Sequence, residues 1–131
     1  MIIFLFSLGV FAIDQLIKFL VYRFAPYYTV LGANTLIFGN IGATVVSFIF
    51  VILLLGLILR DKKIILANLW TSLASGFCLG GAISNIIDRL WRGGVLDIGQ
   101  GRLRTNLADI LVFVGLFMLF YFYFSRKNIE S

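Results

Sequence analysis

Six polar side chains between positions 85 and 109 could do chemistry: Asn85, Asp88, Arg89, Asp97, Asn106 and Asp109. They stand in a 131-residue chain that is 61% hydrophobic and only 13% charged. Carboxylates at the edge of apolar segments are expensive to keep, so a cluster of them marks a functional site by default. Asp97 and Asp109 read as a pair, because the intervening segment carries Gly99 and Gly101 and can fold back to bring them together. Two carboxyls in one site cannot both ionise easily and hold one proton between them. One can then activate water while the other protonates a scissile carbonyl oxygen, the chemistry of an aspartic protease. Spacing alone leaves a second reading equally open: Asp97 as a loop charge paired with Arg102 or Arg104, and Asp109 as a helix cap.

What is missing narrows the choice. The chain contains no histidine, which removes Ser-His and Cys-His nucleophiles and most zinc sites. Its single cysteine, Cys78, lies inside an apolar stretch and reads as a small packed hydrophobe. A hydrolase built from this chain must therefore work with carboxylates. The net charge of +5 comes from short loops and the tail, not from a basic run interleaved with aromatics. It fits attraction to anionic membrane lipid and gives no sign of nucleic-acid binding.

The elements that position these groups are membrane helices. Apolar stretches at about 2–22, 41–59, 64–87 and 106–125 approach or reach the roughly 20 residues a spanning helix needs. So much apolar surface could not be buried by a soluble domain of this size. The expected fold class is an all-α integral membrane protein, four transmembrane helices with a small β-hairpin or sheet element outside the bilayer. The chain reads as a single membrane-embedded domain over residues 1–131. The first stretch lacks the basic start and small-residue cleavage site of a removable signal. It carries Asp14 and Lys18 four apart on one helix face, where they can pair, with Gln15 as a third polar group.

Pro26 ends that helix. The run Tyr27–Leu31, the turn residues Gly32-Ala33-Asn34 and the run Thr35–Phe38 predict a surface hairpin. Arg60-Asp61-Lys62-Lys63 reads as a solvated charged turn. In the third stretch Asn68, Ser72, Gly76, Gly80 and Ser84 recur every fourth residue, a small-residue stripe that lets helices approach closely in lipid. Residues 88–105 read as a polar loop, and Thr105 or Asn106 caps the last helix. Basic residues divide equally between the two ends of the helices, so charge alone does not orient the chain.

The order of these residues resembles the lipoprotein signal peptidase family, signal peptidase II. Asp14-Gln15-x-x-Lys18 matches the family's DQxxK, and Asn40-Ile41-Gly42-Ala43 resembles its NxGA. Gly80-Gly81-Ala82-Ile83-Ser84-Asn85-Ile86-Ile87-Asp88-Arg89 resembles GGAxGNxxDR. Gly94-Val95-Leu96-Asp97 matches GxVxD, and Asn106-Leu107-Ala108-Asp109 matches NxAD. Each is weak alone; five in order along nearly the whole chain are specific.

The resemblance implies Asp97 and Asp109 as the catalytic dyad. It implies that Asp14, Lys18, Asn40, Asn85, Arg89 and Asn106 support the site or contact substrate. It further implies a monomeric enzyme of the bacterial inner membrane, with cytoplasmic termini and the site toward the outer face. Such an enzyme cuts diacylglyceryl-modified prolipoproteins just before the lipidated cysteine, uses no metal or cofactor, and is the target of globomycin-type inhibitors. Ser84 stands where the family usually has glycine, and the outer regions are short. Two other readings are a relative that binds lipidated peptides without cutting them, and a four-helix scaffold or small transporter. Both aspartates and the supporting asparagines are kept, and most polar residues cluster at one interface, which favours the enzyme.

Overall fold

Helix α4 (Leu69–Arg92) is the axis of the molecule: α1 (Ile2–Phe24) and α5 (Leu107–Glu130) pack along it, and α2 (Gly39–Arg60) touches it less extensively. The remaining elements are a 3-10 turn (Pro26–Tyr28), the strands β1 (Thr29–Gly32), β2 (Val95–Gln100) and β3 (Leu103–Thr105), and the short helix α3 (Lys62–Leu66). The computed structural model describes residues 1–32, 39–100 and 103–130.

Small residues let α4 serve two neighbours. A methyl group at Gly80 would sit 2.5 Å from the Ser7 carbonyl oxygen of α1. One at Gly81 would sit 2.6 Å from the Ala108 carbonyl oxygen of α5. Gly76 is blocked by Phe6 in the same way, so the glycines of the stripe bring α1 against α4, as the fourfold spacing predicts. Cys78 is fully buried, in keeping with a packed hydrophobe.

Among the described residues, three helices, α1, α2 and α5, are long and apolar enough to cross a membrane. Their flanks expose large hydrophobic side chains such as Phe4, Phe19, Ile52, Phe113 and Phe117, the all-round apolarity of helices that face lipid. Helix α4 has 24 residues, roughly 36 Å at 1.5 Å per residue. It is less apolar because its buried face carries Thr71, Ser72, Ser75, Ser84, Asn85 and Asp88.

The third apolar stretch, expected as one helix over 64–87, is divided. Asn68 caps α4, its Oδ1 accepting from Trp70 N at 3.1 Å. The Thr71 and Ser72 hydroxyls donate to the Ile65 carbonyl at 2.6 and 3.1 Å, satisfying the end of α3. At its other end α4 continues past Asp88 to Arg92, so the expected polar loop begins five residues late. It stops at Gly93, whose φ of +76° is open to glycine and strained for other residues.

Asp61 is also not a solvated charge. It accepts from Tyr123 Oη at 2.6 Å and from Arg60 Nη2 at 2.8 Å, tying the α2–α3 turn to α5.

The strands form one antiparallel sheet in the order β1-β2-β3. Pro26 starts a 3-10 turn, closed by Thr29 Oγ1 donating to Pro26 O at 2.8 Å, so the strand begins at Thr29 rather than Tyr27. The expected return strand, 35–38, lies outside the described residues. β1 pairs with β2, setting Val30 opposite Asp97.

Polarity is segregated along the bundle. Ile3, Leu54, Ile58, Ala74, Cys78, Leu119 and Tyr123 form an apolar core at the end where α1 begins and α5 finishes. The buried charges lie at the other end, beneath the sheet.

Candidate active site

Asp97 arrives on β2 and Asp109 on the first turn of α5, and one side chain meets both. Asn106 is buried and caps α5: its Oδ1 accepts from Asp109 N at 2.8 Å. The same amide's Nδ2 donates to Asp97 Oδ1 at 2.9 Å and to Asp109 Oδ2 at 3.0 Å. An amide nitrogen carries two hydrogens, so one is available for each carboxylate. From α4, Asn85 Nδ2 donates to the other Asp109 oxygen at 2.6 Å. Asp109 is exposed and Asp97 half-buried, so a ligand could reach both.

Beneath them lies a second polar layer of different character. Asp14, Lys18 and Asp88 are wholly buried. Lys18 Nζ lies 2.5 Å from Asp14 Oδ2 and 2.6 Å from Asp88 Oδ2. The expected pairing of Asp14 with Lys18 is thus formed. Ser84 Oγ donates to Asp14 Oδ2 at 2.6 Å, and Gln15 Nε2 donates to Ser84 Oγ at 2.8 Å and Asp88 Oδ1 at 2.9 Å. Arg92 pairs with Asp88 one turn below it and donates to Gln15 Oε1 at 3.2 Å. Unpaired charges could not be kept in such a place, and here each one has an opposite partner.

Apart from Asn40, the residues predicted from sequence divide into three groups. Asp97, Asp109, Asn85 and Asn106 share one hydrogen-bonded cluster. Asp14 and Lys18 form the layer below, reaching that cluster through Lys18 Nζ, 3.4 Å from Asn85 Oδ1. Arg89 is turned toward α2, its Nη1 donating to Ser47 Oγ at 2.7 Å. Asn40 belongs to the first turn of α2, and its side chain lies outside the described set.

Sequence reasoning overlooked Ser47, Ser84 and Arg92 as participants and named Asp88 in the polar cluster without giving it a role. The fourfold spacing of Asp88 and Arg92 was a readable signal; nothing local announces Ser47. Among the described residues, no group of three or more His, Cys, Asp or Glu side chains is gathered to hold a metal ion. Two accessible carboxyls held on one donor can pass protons to and from a bound water or carbonyl.

The family model described as signal peptidase (SPase) II matches residues 6–125. The lipoprotein signal peptidase of Helicobacter pylori is 26% identical over 137 aligned positions, covering 91% of this chain and 85% of that one. That of Rickettsia canadensis is 39% identical over 59 residues, 40% of this chain and 30% of the relative's length. That of Microcystis aeruginosa is 40% identical over 65 residues, 47% of this chain and 42% of the relative's. A bacterial membrane enzyme solved by the in meso method at 2.3 Å resolution has the same fold, with a TM-score of 0.72 at 19% identity over 97% of this chain and 90% of that one. A second, solved at 1.9 Å, gives 0.69 at 22% identity over 89% of this chain and 88% of that one.

Proposed function

We propose, for a chain that belongs to the signal peptidase II family, an intramembrane aspartic endopeptidase that removes the signal peptide from diacylglyceryl-modified prolipoproteins before the lipidated cysteine. It is a multi-pass bacterial membrane protein. We place four spans, with α4 as the third, both termini in the cytoplasm and the site at the outer face of the inner membrane. The whole chain acts as one domain and as a monomer, and a globomycin-type peptide would occupy the same site.

One observation carries the reading: Asn106 Nδ2 donates to both Asp97 and Asp109, the two carboxylates on the accessible side of the polar cluster. In the proposed reaction one aspartate takes a proton from water as its oxygen attacks the scissile carbonyl carbon. The other gives its proton to the carbonyl oxygen. The tetrahedral diol then collapses, the peptide C–N bond breaks, and the new amine takes a proton from the dyad. Asn106 and Asn85 hold the carboxylates while their charge changes. Asp14, Lys18, Asn40 and Arg89 support the site or meet the substrate.

The test is cleavage of a diacylglyceryl-modified prolipoprotein in detergent, with Asp97→Asn and Asp109→Asn beside the wild type. Loss of general acid–base catalysis should cost at least about 100-fold in rate, with both variants still folded. Binding without cutting by the wild type would sink the enzyme reading, and wild-type cutting by either variant would sink the dyad.

A further inference from the structure

Two buried carboxylates each accept a backbone N–H from the residue just before one member of the dyad. Asp14 Oδ1 accepts from Ala108 N at 2.9 Å, and Ala108 precedes Asp109. Asp88 Oδ2 accepts from Leu96 N at 3.4 Å, and Leu96 precedes Asp97. The Lys18 ammonium lies between the two carboxylates, 2.5 Å from one and 2.6 Å from the other. We infer that Asp14, Lys18 and Asp88 form a positioning unit in which one cation fixes the separation of the strand bearing Asp97 from the helix bearing Asp109. The inference rests on the dyad proposed above.

Lys18 also sets a third arm. Its Nζ lies 3.4 Å from Asn85 Oδ1, leaving Nδ2 of that amide to donate to Asp109 at 2.6 Å. The cation therefore decides which end of the amide faces the dyad. Ser84 and Gln15 fix the carboxylates by donating to Asp14 Oδ2 and Asp88 Oδ1. With Arg92 on Asp88, the layer balances two acids against two bases. Buried ion pairs are poor sources of net stability, because apolar side chains of similar volume do as well. What they provide here is a fixed length. None of the three touches the carboxylates of Asp97 or Asp109 in the contacts described, so all three are positioning residues.

The test compares Lys18→Met, Lys18→Arg and Asp88→Asn in full-length detergent-solubilised protein, assayed where circular dichroism and gel filtration show each to be folded. Misplacing reacting groups by about 1 Å costs on the order of 100-fold in rate. Lys18→Met should therefore lose kcat on that scale with KM within about threefold of wild type, and Lys18→Arg should restore part of it. Should Lys18→Met not fold, Asp88→Asn, which keeps an acceptor for Leu96 N but not the charge, must show the same split. A folded variant with wild-type kcat, or a rise in KM alone, would overturn the proposal.

A second readout needs no substrate. In an Asp97→Cys/Asp109→Cys background, a short bifunctional thiol reagent should crosslink the two positions at least tenfold more slowly when Lys18→Met or Asp88→Asn is added. Equal crosslinking overturns the positioning role. If the wild type cuts nothing, the enzymatic reading fails by itself and crosslinking still judges this one.

Discussion

Asp97 and Asp109 are joined through a single nitrogen atom, 2.9 Å from one carboxylate and 3.0 Å from the other. That atom belongs to the residue that caps the helix carrying Asp109, so the start of α5 and the spacing of the two carboxylates are one structural event.

Asn106→Ala should therefore fail twice. Losing the cap costs about 1 kcal/mol of stability, read as a lower unfolding midpoint in detergent. Losing the shared donor should lower kcat by more than that stability change explains, on the order of 100-fold. Assay at a temperature where the variant is fully folded separates the two effects. Wild-type kcat there would show the bridge to be irrelevant to the reaction.

Gly81→Ala should damage the site from behind. Its methyl group would meet the Ala108 carbonyl oxygen at 2.6 Å and Val112 Cγ2 at the same distance, pushing α5 away next to Asp109. Overpacking of this kind costs about 1–3 kcal/mol, and cleavage should fall with it. Gly56→Ala is the control, since nothing lies within 4 Å of its added methyl group. It should leave both midpoint and rate unchanged or raise the midpoint slightly.

Ser47→Ala removes the hydroxyl that accepts from Arg89 Nη1 at 2.7 Å. If Arg89 meets the substrate, its loosened guanidinium should raise KM by roughly fivefold, an effect near 1 kcal/mol, while kcat holds. A fall in kcat with constant KM would give Arg89 a part in the chemical step instead.

Tyr123→Phe should cost stability alone. The lost hydrogen bond reaches a carboxylate, Asp61 Oδ2 at 2.6 Å, and bonds to charged groups contribute about 1.5–3 kcal/mol. Tyr123 lies in the apolar core at the far end of the bundle from the dyad, so the cleavage rate at low temperature should match the wild type.

Much of the site was legible because its signals are local. The fourfold spacing of Asp14 and Lys18 announces a pair on one helix face. Asn106 three residues before Asp109 announces a cap, and the Gly76–Gly80 stripe announces a close helix contact. What was not legible depends on partners distant in sequence. Asp88 looks like the start of a loop until α1 brings Lys18 and Gln15 against it, 70 and 73 residues away. Thr29–Gly32 carries strand propensity, but nothing local points to its pairing with β2, far along the chain. Asp61 reads as a loop charge because Tyr123, 62 residues on, is the group that holds it. The break between α3 and α4 was missed because Asn68 fits both a small-residue stripe and a helix cap; the cap prevailed.

Asp14 and Lys18 are neighbours on one helix, and Asp88 and Arg92 are neighbours on another, each pair four residues apart with the acid first. Each helix thus carries its own counter-ion before it meets any other. A lone charge at the centre of a bilayer costs about 2.5–3.5 kcal/mol during insertion, and acid-before-base is the favourable order along a helix. Newly made α1 and α4 can each leave the insertion machinery with its carboxylate already paired to a base on its own helix. Only on lateral association do the two dipolar units interlock across the helix boundary, and that ordering joins the making of the protein to the making of its site.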